Sequence, residues 1–356
     1  MDSVASGLGR RLGRTWSRLS ALAGSGRDAP AILMYHRIAT PICDPWGLSV
    51  TPNRFREQLT MLKAHRCVMS MDQLADGLEA DCVPPLATAL TFDDGYLDNF
   101  ETAKPILEEL QIPATMFLPT GVVGSGRSFW WDELARLVLG SRRAACFEIE
   151  VAGARLAARW GHQHRVPPDL AKWRTGRRST DPRRLAYVSL WRALQQLSAE
   201  DRDQAMETLH ELLNGGDVAF VTEAELPMSG RAARELASPM ISLGGHGLTH
   251  ASLPSLPLAE LTEEIVGSRA GIAELNGGVP PSGFAYPHGD WNARAREAVA
   301  GAGFRWAVTT RSGKIDRDRF DPFALPRISV ANWSGRHLLL RLRAASHRVV
   351  STALPQ

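Results

Sequence analysis

The 356-residue sequence has only four cysteines, Cys43, Cys67, Cys82 and Cys146, and no two of them form a C-x-x-C pair or a zinc-ribbon spacing. Neither a redox motif nor a disulfide framework is implied, and the four read as reduced, mostly packing residues. No apolar run reaches the roughly 18 residues that span a bilayer. Residues 1–26 lack the continuous apolar centre and small-residue cleavage site of a secretory leader, so the expected location is the cytoplasm. The formal net charge of +3 is too small to argue for a nucleic-acid partner. Internal repeats and low-complexity tracts are also missing, which leaves an ordinary globular chain.

What is present fits that class. With 44% hydrophobic and 22% charged residues, the chain has material for one large α/β domain with an insertion, or for two modest domains. The basic residues cluster locally: between Arg142 and Arg192 there are twelve Lys or Arg against four Asp or Glu. Such a run is usually a solvated face, and it also suits an acidic or phosphorylated ligand. Near the start, Leu8, Leu12, Trp16 and Leu19 recur at helical spacing among Arg10, Arg11, Arg14 and Arg18. GRHLLLRLRAASHRVV near the other end has a similar mixture. Both segments suit an anionic membrane surface as well as a frayed tail or a docking helix.

Apolar runs and helical patterns alternate along much of the chain. AILMYH (31–36), ATALTFDD (87–94), ATMFLP (114–119), MISLGG (240–245), GFAYP (283–287) and RWAVTT (305–310) read as strands. Helical patterns lie between them, beginning with TPNRFREQLTMLKAH, which has Thr51 as cap and Pro52 in its first turn. That alternation predicts a parallel sheet or barrel with its chemistry at the carboxyl ends of the strands. From about Val122 to Ala237 the alternation fails, and the spacing there predicts an inserted, mostly helical cap. Phe129, Trp130, Trp131, Trp160 and Trp173 within it are suited to a small core or to stacking on sugar rings.

LTFDDGY ends a strand with adjacent carboxylates, Asp93 and Asp94, which repel one another unless solvated or held by a cation. One reading is a helix N-cap for the segment that follows. Another comes from GGHGLTH, which ends a second strand with His246 and His250; these face the same way if Gly247–His250 begin a helical turn. Two imidazoles and a carboxylate make a three-ligand site for a divalent metal, with the second aspartate free to act as a base.

The two motifs together resemble the NodB-type polysaccharide deacetylases of carbohydrate esterase family 4. Thr91–Gly95 match that family's T-F-D-D-G, and His246 to His250 match its H-[ST]-x-x-H in spacing, with Gly247 where Ser or Thr is common. The resemblance implies a distorted (β/α) barrel, Asp93 as general base, and a metal, usually zinc, on Asp94, His246 and His250. A third motif, R-x-P-Y, is matched only as FAYPHG, with Ala285 in place of the arginine and His288 in place of the tyrosine. Tyr286, Pro287, His288 and Arg327 are therefore the expected substrate-binding residues. Arg327 is also the candidate for the missing arginine, with a surface salt bridge as its alternative. The late L-x-H motif is absent after FAYPHG and appears instead as ILMYH. A circularly permuted chain, like some exopolysaccharide deacetylases of this family, would make His36 the general acid, with His288 as the fallback.

These readings give an α/β chain with a barrel over 30–121 and 238–335, a cap over 122–237, a basic segment over 1–29 and a basic helix or tail over 336–356. The implied activity is removal of acetyl from an N-acetylated sugar in a polysaccharide, glycolipid or sugar precursor. The alternatives are another metal-dependent amide or O-acetyl ester hydrolase, or a non-catalytic carbohydrate-binding homologue. The expected partner is an N-acetylated glycan, met in the cytoplasm or at the inner face of the membrane.

Overall fold

The computed structural model describes residues 29–345, apart from 142, 162–169, 171 and 214–225. The readings made of residues 1–28 and 346–356 fall outside the described residues. Among the described residues, no helix is long and apolar enough to cross a membrane.

Ten strands are described: β1 Ala31–Tyr35, β2 Cys67–Val68, β3 Ala87–Phe92, β4 Ala114–Leu118, β5 Ala145–Val151, β6 Ala154–Trp160, β7 Ile241–Gly245, β8 Gly283–Ala285, β9 Trp306–Ser312 and β10 Leu325–Ser329. The parallel set runs β1-β10-β9-β8-β7-β4-β3 and returns from β3 to β1, closing a barrel; β2 extends β3 on the outside. Closure is made by β1, where Leu33 lies opposite Ile328 of β10 on one side and Leu90 of β3 on the other. ILMY is thus the displaced strand that the late motif required. Every residue of β1, β3 and β4 is buried, as expected of strands covered on both faces, and this is why they read as continuous apolar runs.

Around the barrel stand α1 Pro52–His65, α2 Met71–Glu79, α3 Lys104–Leu110, α7 Gly230–Leu236, α8 Leu258–Leu275, α9 Ala293–Gly301 and α10 Gly335–Ala344. Their apolar stripes pack on the strands; Phe55, Leu59 and Leu62 of α1, for example, share a core with Leu33, Leu90 and Leu338. The chain leaving β3 makes a wider turn over Asn99–Ala103 before α3.

Between β4 and β7, α4 Trp130–Leu139, α5 Pro182–Gln195 and α6 Ala199–Leu212 build a separate apolar cluster around Leu134, Leu156, Tyr187, Leu190 and Leu209. The antiparallel hairpin β5–β6 belongs to the same unit and was absent from the sequence reading. It turns at Ala152 and Gly153, both at positive φ (49° and 78°), as a two-residue hairpin turn requires. The cysteines correct a second expectation: all four are free, but Cys67, Cys82 and Cys146 are exposed and do not pack a core.

Candidate active site

The carboxyl ends of β1, β3, β7 and β8 bring His36, Asp93, Asp94, His246, His250, Tyr286 and His288 to one cavity. Behind it stands Arg327 of β10, 0% exposed, whose Nη1 and Nη2 donate to Oδ1 and Oδ2 of Asp93 at 2.7 and 2.6 Å. The Arg327 Nε donates to the Thr309 carbonyl at 2.9 Å and fixes the fork. This corrects two readings: Arg327 makes no surface salt bridge, and it does not line the substrate cavity. It reaches Asp93 from another strand, the contact expected of the arginine that Ala285 replaces. Burial opposes ionisation of Asp93, but the Arg327 charge, with His246, holds its carboxyl below the usual range. The result is an ionised carboxylate in a fixed orientation.

Asp94, at φ 74°, turns the other way. Its Oδ1 lies 3.4 Å from His246 Nε2 and 3.2 Å from His250 Nε2, and one ligand atom from each of the three lies within 4.8 Å of the others. His246 Nδ1 is 2.7 Å from the Ala285 carbonyl, so Nδ1 carries the proton and Nε2 presents a lone pair. Burial raises Asp94, but the two imidazoles outweigh it and hold the carboxyl well below its usual range. Burial lowers His250, whereas the carboxylates raise His246 against the same penalty. A buried carboxylate and two converging imidazoles, one aligned by a backbone carbonyl, fit a divalent cation of borderline softness.

The two histidines do not meet on a helical turn, as the sequence suggested. Gly247 (φ 75°) and His250 (φ 60°) are left-handed, and the loop is braced by Glu264 of α8. That carboxylate accepts from the Leu248 N–H at 2.7 Å, from the Thr249 N–H and from the Thr249 hydroxyl at 2.6 Å. A Cβ on Gly247 would stand 2.7 Å from Glu264 Oε2, so glycine is needed where the family commonly has Ser or Thr.

His36 follows β1 and is held by its backbone. Asn99 Nδ2 donates to the His36 carbonyl at 2.8 Å, while Asp98 Oδ1 accepts from the Ile38 N–H at 2.9 Å and pairs with Arg37 Nε at 3.1 Å through Oδ2. The sequence reading missed both anchors, although LDNF stands directly after TFDDGY. His288 sits at φ 57° with its ring 4.4 Å from that of His250; burial, then the positive charge of His250 and Arg202, pushes its imidazole well below the usual range. Tyr286 donates its hydroxyl to the Phe323 carbonyl and lines the cavity, whereas Pro287 is buried beside it and outside the lining. Trp131 belongs to the insertion's core, as do Phe129, Trp130, Trp160 and Trp173, and its ring also reaches 4.8 Å from His250.

Comparison with known proteins agrees with this geometry. The polysaccharide deacetylase family model matches residues 80–141 and 211–307, a range that contains Asp93, Asp94, His246, His250 and His288. The poly-beta-1,6-N-acetyl-D-glucosamine N-deacetylase of Staphylococcus epidermidis is 30% identical over 112 residues, covering 28% of this chain and 39% of that protein. The matched part is thus about two fifths of the curated relative. Among solved structures, the Streptococcus pyogenes deacetylase PplD, in complex with acetate, has 18% identity and a TM-score of 0.54 over 88% of this chain and 98% of its own. IcaB from Ammonifex degensii has 17% identity and a TM-score of 0.53 over 89% and 98%. The likeness to these two is one of fold. The chain therefore carries a polysaccharide deacetylase domain, on a barrel of the NodB type.

Proposed function

We propose that the chain hydrolyses the N-acetyl group of an N-acetylated sugar, with Asp93 as base, His36 as acid and a zinc ion on Asp94, His246 and His250. One observation carries the reading: Asp93, locked by Arg327, stands in the same cavity as the Asp94–His246–His250 cluster and His36. When bound, the cation supplies a Lewis acid that polarises the acyl oxygen and makes water easier to deprotonate.

The remaining chemistry is done by side chains. Asp93 accepts a proton from water as its oxygen forms a bond to the acyl carbon, and Arg327 keeps that carboxylate ionised and aimed. The His288 backbone N–H is the donor proposed for the developing negative charge on the acyl oxygen. His36 delivers a proton to the amide nitrogen as the C–N bond breaks, giving acetate and a free amine. The metal-ligand roles, the identity of the metal and the sugar are part of this proposal. It is supported by the donor set and by the named activity of the Staphylococcus relative.

The test is product analysis. Zinc-loaded protein, incubated with N-acetylglucosamine oligomers and with O-acetylated sugars, should release acetate and equal free amine from the former. Acetate with new hydroxyl from O-acetyl substrates alone would overturn the amide reading.

A further inference from the structure

The cavity has a second wall that the chemistry does not use. Beside the imidazoles the cavity is also lined by Trp46 and Leu48 from the loop after β1, and by Trp131, Trp191 and Gln195 from the insertion. The loop and the insertion are fastened to each other at the cavity wall. Trp46 Nε1 donates to the Tyr187 hydroxyl at 2.9 Å, and its ring lies 4.3 Å from that of Trp191. Beside them Arg174 pairs with Asp44 at 3.2 Å, and the Thr175 N–H donates to the Pro45 carbonyl at 2.8 Å. Trp191 in turn lies 6.0 Å from His288, which continues the wall to the imidazole of His250.

Two segments distant in sequence therefore meet in one continuous wall along a side of the reacting centre. The space beside it is about 570 Å³, inside the range of roughly 300–1,000 Å³ typical of pockets for small ligands. A site that tracks a polymer has to let chain leave on both sides of the reacting sugar, and this joined wall obstructs one of them. The lining contains three tryptophans, whose faces suit sugar rings, and among its described residues no lysine or arginine. Apart from the proposed cation, no described lining residue carries a fixed positive charge to balance a phosphate or a carboxylate on the reacting residue.

We infer that the site takes one uncharged N-acetylated sugar residue at the end of its chain, and not an interior residue of a polymer passing through. This rests on the deacetylase reading above and goes beyond it in naming the substrate's form. The class includes a free amino sugar and the terminal residue of an oligosaccharide, and chain length separates the two.

The experiment uses the zinc-loaded full chain and N-acetylglucosamine oligomers of one to six residues, labelled at the reducing end. Mass spectrometry locates the first acetyl lost. The expected result is loss at a terminal residue, with kcat/KM equal within about threefold for the disaccharide and the hexasaccharide; monosaccharide turnover at the same rate assigns the free sugar as sufficient. Loss from interior residues, or a kcat/KM at least about tenfold higher for the hexasaccharide, overturns the inference. A second measurement does not depend on turnover. The three lining tryptophans should be quenched in metal-free protein by disaccharide and hexasaccharide at similar concentrations, and affinity at least about tenfold tighter for the hexasaccharide overturns the inference. If no sugar releases acetate while quenching is independent of length, the deacetylase reading falls and the single-residue pocket stands.

Discussion

Asn99 donates its side-chain amide to the backbone carbonyl of His36 at 2.8 Å, so the turn after β3 sets where β1 ends. The same amide group also donates to Asp98 at 2.9 Å, and Asp98 holds Ile38 and Arg37. His36 is thus placed by a buried clamp that touches its main chain and leaves its imidazole to the cavity. Asn99→Ala should keep metal and fold but lower kcat by about 10- to 100-fold, the scale of a misplaced catalytic group, with little change in KM. The deficit should shrink for an acetyl substrate with a better leaving group, which needs less protonation. An equal deficit for good and poor leaving groups would show that Asn99 supports something other than His36.

Asp93 and Asp94 are neighbours with different partners, Arg327 for one and the two histidines for the other. Asp93→Asn should retain zinc and cut turnover by a factor of about 10² to 10⁴. Asp94→Asn should weaken zinc binding. Equal zinc loss in the two variants, read by elemental analysis, contradicts this division of roles.

Metal removal gives a separate expectation. Wild-type protein should carry about one zinc per chain, and chelation should abolish acetate release until zinc is restored. His246→Ala and His250→Ala should lose the ion while melting as a cooperative fold, because the barrel core around Leu33, Leu59 and Leu90 lies apart from the ligands. A wild-type protein that neither contains nor takes up a divalent ion ends the metal reading.

Gly247→Ala tests the loop. With φ at 75° and the new Cβ 2.7 Å from Glu264 Oε2, the substitution should cost about 1–3 kcal/mol, measured by denaturant unfolding. It should also loosen zinc, since Glu264 holds the two residues before His250. An unchanged midpoint and unchanged zinc affinity would mean that the loop relaxes without cost.

Much of the barrel was legible because parallel strands buried on both faces appear as short apolar runs, and ALTFDD and ISLGGH carry polar residues just past them. The two-residue β2 was too short for any periodicity to register. The β5–β6 hairpin was hidden because Ala152–Gly153 is not an Asn-Gly or Asp-Gly turn and its strands carry charges on their outer face. Spacing suggested that His246 and His250 converge, but the convergence comes from left-handed backbone and Glu264, which reads in sequence as a solvent-facing helix residue. Arg327 was named as a candidate without its surroundings, because burial between strands leaves no signal in five residues such as LPRIS. Asp98 and Asn99 were not singled out, because a clamp on the main chain of a distant strand leaves no periodicity.

The strand that closes the barrel has a consequence for how the protein is made. β1 is synthesised before its neighbours, pairs with β3 soon afterwards, and waits for β10 until nearly the whole described chain has emerged. Until then both β1 and β9 keep an open edge, the kind of surface that invites pairing with another chain. The docking of β10 removes those edges and at the same moment delivers Arg327 to Asp93. A nascent or truncated chain that ends before β10 therefore has Asp94, His246 and His250 but no Arg327 to orient Asp93, and under the proposed mechanism reactivity is withheld until the ring is complete.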